Sequence, residues 1–335
     1  MGILPLAVTL AVGAVRAPAA PGAEPKEIRV AQAGESPLFL PAYVASARGY
    51  FREQGLEVTQ LPTGGNGREV QALIAGEVDF AVAGGASQLL AMEKGARLLA
   101  VANVGDKVAV NVAIHRDVAK ARRITEGTPF AERLQAIRGL TFGVSGPGAL
   151  PWQVAASLVS RAGYTPEQDV QMIAAGAGPV LLAALEQRKI DVLVETVPVP
   201  ETAVDRGTAL MLFNLARGED SELGEYMLES LLVRQEYARQ HPDTVRRMVR
   251  ALLKGSRYIT DRSPEEITEV LQQTPLGKFP RGVLLAAVAS LKGAFPPHGR
   301  MSQRALDVTQ RLMAAGGQLP RTFALLEVYT PAFLP

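Results

Sequence analysis

The chain has no cysteine among its 335 residues. This excludes disulfide frameworks, thiolate metal sites, thiol nucleophiles and lipid attachment through an N-terminal cysteine. Imidazole chemistry is limited to His115, His241 and His298, whose spacing does not resemble a metal-binding pair. Charge of one sign is also lacking, because 35 Lys and Arg against 33 Asp and Glu give a formal charge of +2. Without a run of like charges, we expect no nucleic-acid partner.

Long hydrophobic runs are absent, apart from an apolar stretch at residues 3–15 that is too short to cross a bilayer. The small residues that follow contain an A-x-A pattern at Ala17 to Ala19, which is typical of a signal-peptide cleavage site. We therefore predict that residues 1–23 are a signal peptide and that the mature protein is periplasmic and not lipid-anchored. The alternative is a buried N-terminal helix, since no Lys or Arg precedes Arg16.

What is present is an internal repeat with an offset of 112 residues. Residues 58–84 align without gaps with residues 170–196, and residues 28–33 with residues 140–145. Each copy is predicted to contain a short apolar strand, a glycine-rich turn, an amphipathic helix and a second strand. Two such copies predict an α/β protein with two lobes, each a mostly parallel sheet flanked by helices. Ligands of such sheets bind beyond the carboxyl ends of the strands, so the two lobes imply a shared cleft.

Several short motifs, in this order, resemble those of the periplasmic solute-binding proteins of ABC importers for nitrate, sulfonates, taurine and thiamine-precursor pyrimidines, the NMT1-like family. They are PAYVA at 41–45, GYF at 49–51, GLEV at 55–58, GG at 64–65, AL at 72–73, GEVDF at 76–80, RGLTFGV at 138–144, AGY at 162–164, AAL at 183–185, ID at 190–191 and PDTVR at 242–246.

The resemblance implies a periplasmic-binding-protein type II fold whose lobes are joined by two crossings, placed near residues 108–114 and 211–232. Lobe one would comprise residues 24–110 and 218–335, and lobe two residues 111–217. The implied function is capture of a small organic solute, a sulfonate, a carboxylate or a pyrimidine-like compound, by hinge closure. A permease in the inner membrane would be the partner, and the protein would be a monomer that needs no metal or cofactor and is not an enzyme.

The candidate ligand-binding residues follow the predicted strands, where glycine turns and helix starts expose amides and hydroxyls. In lobe one they are Ser36, Phe39, Thr63, Gly64, Gly65, Asn66, Gly85, Ser87 and Asn103, the last placed after a strand that ends at Ala102. In lobe two they are Ser145, Gly146, Trp152, Gly176, Gly178 and Glu195.

Three of these residues have a second interpretation. Ser87 can be a helix cap, Trp152 a core residue and Glu195 a solvated rim carboxylate. Asp79 and Asp191 recur in both copies but begin their strands, at the end away from the cleft, so we assign them to turn capping rather than ligand binding.

Two enzyme classes remain as alternatives. The Gly176-x-Gly178 turn, with Glu195 nineteen residues after Gly176, resembles a dinucleotide-binding fingerprint, although Leu181 replaces the third glycine. A thiamine-precursor synthase of related fold is the other, but such enzymes carry a cysteine-rich segment that this chain lacks.

Overall fold

The computed structural model describes residues 27–65, 67–146, 149–176, 178–315 and 317–335. The predicted signal peptide and the candidate residue Asn66 lie outside these ranges. Within them, no helix has both the length and the apolar character that crossing a bilayer requires.

Ten strands form two sheets of five in the described part of the chain. The first sheet has the order β2-β1-β3-β10-β4 and the second the order β7-β6-β8-β5-β9. The strands are β1 Glu27–Gln32, β2 Glu57–Pro62, β3 Phe80–Ala83, β4 Leu98–Gly105, β5 Val110–His115, β6 Thr141–Val144, β7 Gln171–Ala174, β8 Val192–Thr196, β9 Ala209–Phe213 and β10 Glu229–Arg234. In each sheet only the fourth strand runs antiparallel to its neighbours. The fold is the predicted two-lobed α/β fold.

Helices cover both faces of each sheet. They are α1 Leu40–Ala47, α2 Tyr50–Glu53, α3 Arg68–Ala75, α4 Gly85–Glu93, α5 Arg116–Ala121, α6 Phe130–Gln135, α7 Leu150–Arg161, α8 Pro179–Glu186, α9 Val199–Asp205, α10 Gln235–Gln240, α11 Pro242–Asp261, α12 Pro264–Leu271, α13 Arg281–Leu291, α14 Gln303–Ala315 and α15 Leu325–Val328. On the first sheet, α1 and α11 bury one face, while α3, α4 and α14 bury the other. The helical spacing of Ile74 in α3 predicts a buried position, but this residue is 40% exposed, so the buried stripe of α3 is narrower than the sequence predicts.

The two copies of the internal repeat share one hydrogen-bonding pattern. The Oδ2 atom of Asp79 accepts from the backbone N–H of Arg29 at 2.9 Å, and that of Asp191 accepts from the N–H of Thr141 at 3.0 Å. The N–H of each aspartate donates in return to the carbonyl of the same partner, at 3.0 and 2.8 Å. Both aspartates thus have a structural role, as predicted, but they cap the neighbouring strand rather than a turn, because each carboxylate satisfies a backbone N–H of that strand.

The chain passes between the sheets twice, from β4 to β5 through residues 106–109 and from β9 to β10 through residues 214–228. We call these stretches the first and second crossings. They lie side by side, because the N–H of Tyr226 donates to the carbonyl of Asp106 at 2.9 Å and that of Leu228 donates to the carbonyl of Gly105 at 3.1 Å. Each crossing leads into the antiparallel fourth strand of the other sheet.

Asp106 makes the stability of the first crossing depend on pH. Burial raises the pKa of its carboxyl to about 6, against a smaller opposing effect of Lys107. An acid whose pKa is raised in the folded state binds its proton more tightly there than in the unfolded chain. The carboxyl of Asp106 therefore makes its full contribution to the free energy of unfolding below pH 4. This contribution is lost as the pH rises through 6.

We expect Asp106→Asn to abolish the loss of stability that ionisation of Asp106 causes as the pH rises. The free energy of unfolding of the variant, relative to wild type, should rise by about 2 kcal/mol between pH 4 and pH 7. Urea titrations of both proteins at four pH values measure it, since pH effects common to the two cancel in the difference. A difference that stays constant over this range would contradict the assignment.

Candidate functional site

The candidate site consists of the turns that follow the carboxyl ends of β1, β2 and β3 in the first sheet and of β6, β7 and β8 in the second. Parallel strands end at the same edge of a sheet, so each set of turns lies together. We call these edges the first mouth and the second mouth.

Two candidates meet at the second mouth. The hydroxyl of Ser145, directly after β6, donates to Oε2 of Glu195 in β8 at 2.9 Å. The other carboxylate oxygen of Glu195 accepts from the backbone N–H of Thr196 at 2.7 Å and from its hydroxyl at 3.0 Å. Glu195 is 5% exposed, so the alternative of a solvated rim carboxylate is wrong. These three bonds hold the carboxylate in one orientation near the carboxyl end of β8.

The rim of the second mouth is formed by glycines and an aromatic ring. Gly176 has a φ of +94° and Gly178, which precedes α8, has a φ of +54°, conformations that residues with a side chain rarely adopt. Gly146 follows Ser145 directly. Trp152 lies in the first turn of α7, half-buried and packed against the core. Its ring contacts the core and is partly accessible, so the role as an apolar wall for the ligand stays a prediction.

At the first mouth, several of the predicted ligand-binding residues make hydrogen bonds that stabilise the turns. Ser36 caps the short 3-10 helix Pro37–Phe39 by accepting from the N–H of Leu38 at 3.3 Å, and Phe39 is buried in the core. The hydroxyl of Thr63 donates to the carbonyl of Gln32 at 3.2 Å. The N–H of Gly65 donates to the carbonyl of Ala33 at 2.9 Å, and its neighbour Gly64 has a φ of +79°.

Two predictions at the first mouth need correction. Ser87 does not cap α4, because the helix starts at Gly85 after the N-cap Gly84 and Ser87 lies inside its first turn. Asn103 does not follow a strand, because β4 continues to Gly105 through an irregularity opposite β10. Its buried amide nitrogen can donate to the carbonyls of Gly105 and Glu229 at 2.9 and 3.1 Å, which favours a role in joining the two strands.

Gly85 proves to be a packing residue. Its N–H donates to the carbonyl of Met227 at 2.9 Å, and a Cβ atom at this position would overlap the Met227 side chain. The glycine therefore lets the turn after β3 approach the second crossing.

Sequence reasoning missed two buried acids at the first mouth, Glu69 in the first turn of α3 and Glu229 at the start of β10. Glu69 is 1% exposed and Glu229 is 6% exposed. Burial raises the pKa of both carboxyls, that of Glu229 well above its usual range, and the nearby carboxyl of Glu69 adds to the effect on Glu229. A glutamate directly before the apolar run SLLV was the available signal for Glu229.

Beside the same turns, Gln32 and Tyr43 form a buried polar pair. The amide of Gln32 donates to the hydroxyl of Tyr43 at 2.5 Å and to the carbonyl of Gly34 at 3.0 Å. Burial raises the pKa of Tyr43 to about 12, so its hydroxyl keeps its proton at neutral pH. The pair supports the turn that carries Ser36.

In the part of the chain that the structure describes, no three His, Asp or Glu side chains are grouped to hold a metal ion. The three histidines make local contacts. His115 caps α5, and His298 accepts from the N–H of Arg300 at 3.0 Å. His241 contacts the ring of Tyr237, with 4.7 Å between the ring centroids.

Comparison with known proteins places this geometry in a family. The sequence profile of the NMT1/THI5 like family matches residues 36–267, and the chain belongs to that family. Solved periplasmic binding proteins share its fold. The alkanesulfonate-binding protein SsuA from Xanthomonas axonopodis pv. citri, bound to MOPS, superposes with a TM-score of 0.64 at 18% identity, over 92% of this chain and all of that one.

The periplasmic nitrate-binding protein NrtA from Synechocystis PCC 6803 has a TM-score of 0.65 at 13% identity, over 92% of this chain and 87% of NrtA. The fold also occurs in an enzyme. A mutant of DszB, in complex with biphenyl-2-sulfinic acid, has a TM-score of 0.66 at 16% identity, over 92% of this chain and 97% of DszB.

Proposed function

We propose that the protein is the extracytoplasmic solute-binding component of an ABC importer. It captures a small organic solute, a sulfonate, a carboxylate or a pyrimidine-like compound, between the two mouths and delivers it to a membrane permease. The observation that carries the proposal is the Ser145–Glu195 pair, in which a half-buried hydroxyl orients a buried carboxylate at the end of a duplicated unit. Convergent polar groups of this kind, set among apolar walls, are typical of small-molecule sites.

Hinge closure about the two crossings is the proposed mechanism. Residues 24–110 and 218–335 would move as lobe one and residues 111–217 as lobe two, with backbone bonds such as that between Tyr226 and Asp106 holding the hinge together. Bound solute would favour the closed form in proportion to its additional contacts there, and the permease would recognise that form. Export through the signal peptide at residues 1–23 and action as a monomer complete the proposal.

An enzyme remains the second candidate, because the enzyme DszB shares the fold. In the dinucleotide-binding version, Glu195 would accept from a ribose hydroxyl, but Leu181 replaces the third glycine of the fingerprint. The incomplete fingerprint favours a solute-binding protein over a dinucleotide-binding enzyme. Recovery of the bound solute unchanged after prolonged incubation with the protein distinguishes a binding protein from an enzyme of either class.

The test is a thermal-shift screen of sulfonates, carboxylates, pyrimidines and aromatic acids, followed by titration of any hit while the fluorescence of Trp152 is recorded. A solute that binds only the folded state raises the melting temperature. We expect Ser145→Ala and Glu195→Gln each to weaken binding about tenfold or more, because each removes a charge-assisted hydrogen bond that orients the site.

Ser160→Ala is the matched control. Ser160 is exposed near the far end of α7, about 15 Å along the helix from the second mouth, and should leave affinity unchanged. Equal affinity of the Ser145, Glu195 and Ser160 variants would place the site elsewhere.

A further inference from the structure

The two buried acids of the first mouth lie at the same edge of the sheet. Glu69 is the second residue of α3 and accepts from the N–H of Gly67 at 3.0 Å, directly after the glycine turn that follows β2. Glu229 begins the antiparallel strand β10, whose next residue, Ser230, pairs with Ala83 at the carboxyl end of β3. Glu229 therefore lies beside Gly84, just beyond the end of β3.

Both carboxyls have one oxygen that no group of the described chain satisfies. The Oε2 atoms of Glu69 and Glu229 are buried and have no hydrogen-bond partner among the described residues. The same residues include no Lys or Arg paired with either acid; Arg68, the nearest in sequence, is exposed and lies beside the Gly64–Gly65 turn. Asp79 and Asp191, which are structural, accept hydrogen bonds instead from the strand they cap.

Such an arrangement is costly for the protein alone. A buried carboxylate without a partner loses its hydration, and a second carboxylate nearby adds repulsion. Native structures contain few groups of this kind, and each calls for an explanation such as strain, a catalytic role or a bound water or ion. A positive group from outside the chain would satisfy both free oxygens and cancel the repulsion.

The geometry points to a cation receptor formed by Glu69 and Glu229, which binds a protonated amine or amidine group of the captured solute. This inference rests on the proposed function and narrows it to solutes that carry a cationic nitrogen group. An ammonium or amidinium group has several N–H donors, enough to reach one free oxygen of each acid. In the resulting pairs the hydrogen bonds are charge-assisted, the strongest class available to such a group.

The test compares solutes of similar shape and different charge. We would screen a panel of primary amines and amidines, including benzamidine, beside their neutral counterparts, including benzamide, and beside carboxylates and sulfonates. Thermal shift gives the hits and calorimetry the affinity. Hits should come from the cationic class, with the neutral counterpart at least tenfold weaker.

Glu69→Gln and Glu229→Gln should each weaken a cationic hit at least tenfold. Glu57→Gln is the matched control, because Glu57 is exposed at the opposite end of the same sheet and its loss removes the same charge. A solute-free measurement provides a second check. Glu229→Gln should raise the melting temperature at neutral pH, since it removes a buried acid with no partner, whereas a structural role for Glu229 would lower it.

The outcomes separate this inference from the proposed function. If neutral or anionic solutes bind and cationic ones do not, the protein is a solute-binding protein but the receptor assignment is wrong. The same holds if CaCl2 or NaCl stabilises the protein through these acids and no amine does. If no solute of any charge binds, the proposed function itself fails.

Discussion

Gly255→Val is expected to destabilise the protein by about 3 to 4 kcal/mol, close to the upper end of the range for overpacking in a core. Gly255 lies in the middle of α11, where that helix crosses α1. A Cβ atom there would overlap the carbonyl oxygen of Pro41 and lie 3.2 Å from its carbonyl carbon. Because the obstacle is backbone, no change of rotamer relieves it, and α1 must move away from α11.

Urea denaturation followed by circular dichroism measures this effect. Gly293→Val is the control, because a Cβ atom at Gly293 meets no atom within 4 Å and the residue is exposed. The control should unfold within about 0.5 kcal/mol of wild type, as is usual for surface substitutions. A Gly255 variant as stable as the control would mean that α1 and α11 are not in close contact.

Gly85→Val is expected to lower stability by about 2 to 3 kcal/mol and to weaken solute binding as well. The added side chain would overlap Met227, which cannot retreat easily because it is fully buried and its N–H donates to the hydroxyl of Thr309 at 3.0 Å. Met227 precedes Glu229 by two residues, so its displacement would move the start of β10 and the first mouth.

Denaturation and calorimetric titration of Gly85→Val with the best solute check both effects. Gly293→Val, the control used above, should change neither quantity much, since a Cβ atom at that exposed position meets no atom within 4 Å. If the Gly85 variant is destabilised but binds the solute with full affinity, the contact with Met227 does not support the binding site.

The sequence predicts those parts of the site that repeat. The offset of 112 residues correctly assigns Asp79 and Asp191 to capping, because equivalent strands need equivalent caps. It also places Ser145 and Glu195 at the ends of two strands of the second copy, and the structure shows that these strands are neighbours and that the two side chains are hydrogen-bonded. Local patterns and the parallel arrangement of the strands suffice for these inferences.

The errors occur where distant segments pair. The sequence pattern places Asn103 outside its strand because asparagine is rare in strands, and only the pairing with β10 extends β4 to Gly105. Glu229 belongs to β10, which lies between β3 and β4 although all five strands of the second sheet come before it in the sequence. Glu69 resembles an ordinary acidic residue in a first helical turn until its burial is known.

The most direct test of the central claim is a crystal structure of the protein with the strongest hit from the solute screens. The account predicts one solute molecule between the mouths, in contact with Glu195 or Ser145 on one side and with the turns after β1 and β3 on the other. A solute bound to one sheet alone, or at a surface remote from both mouths, would contradict it.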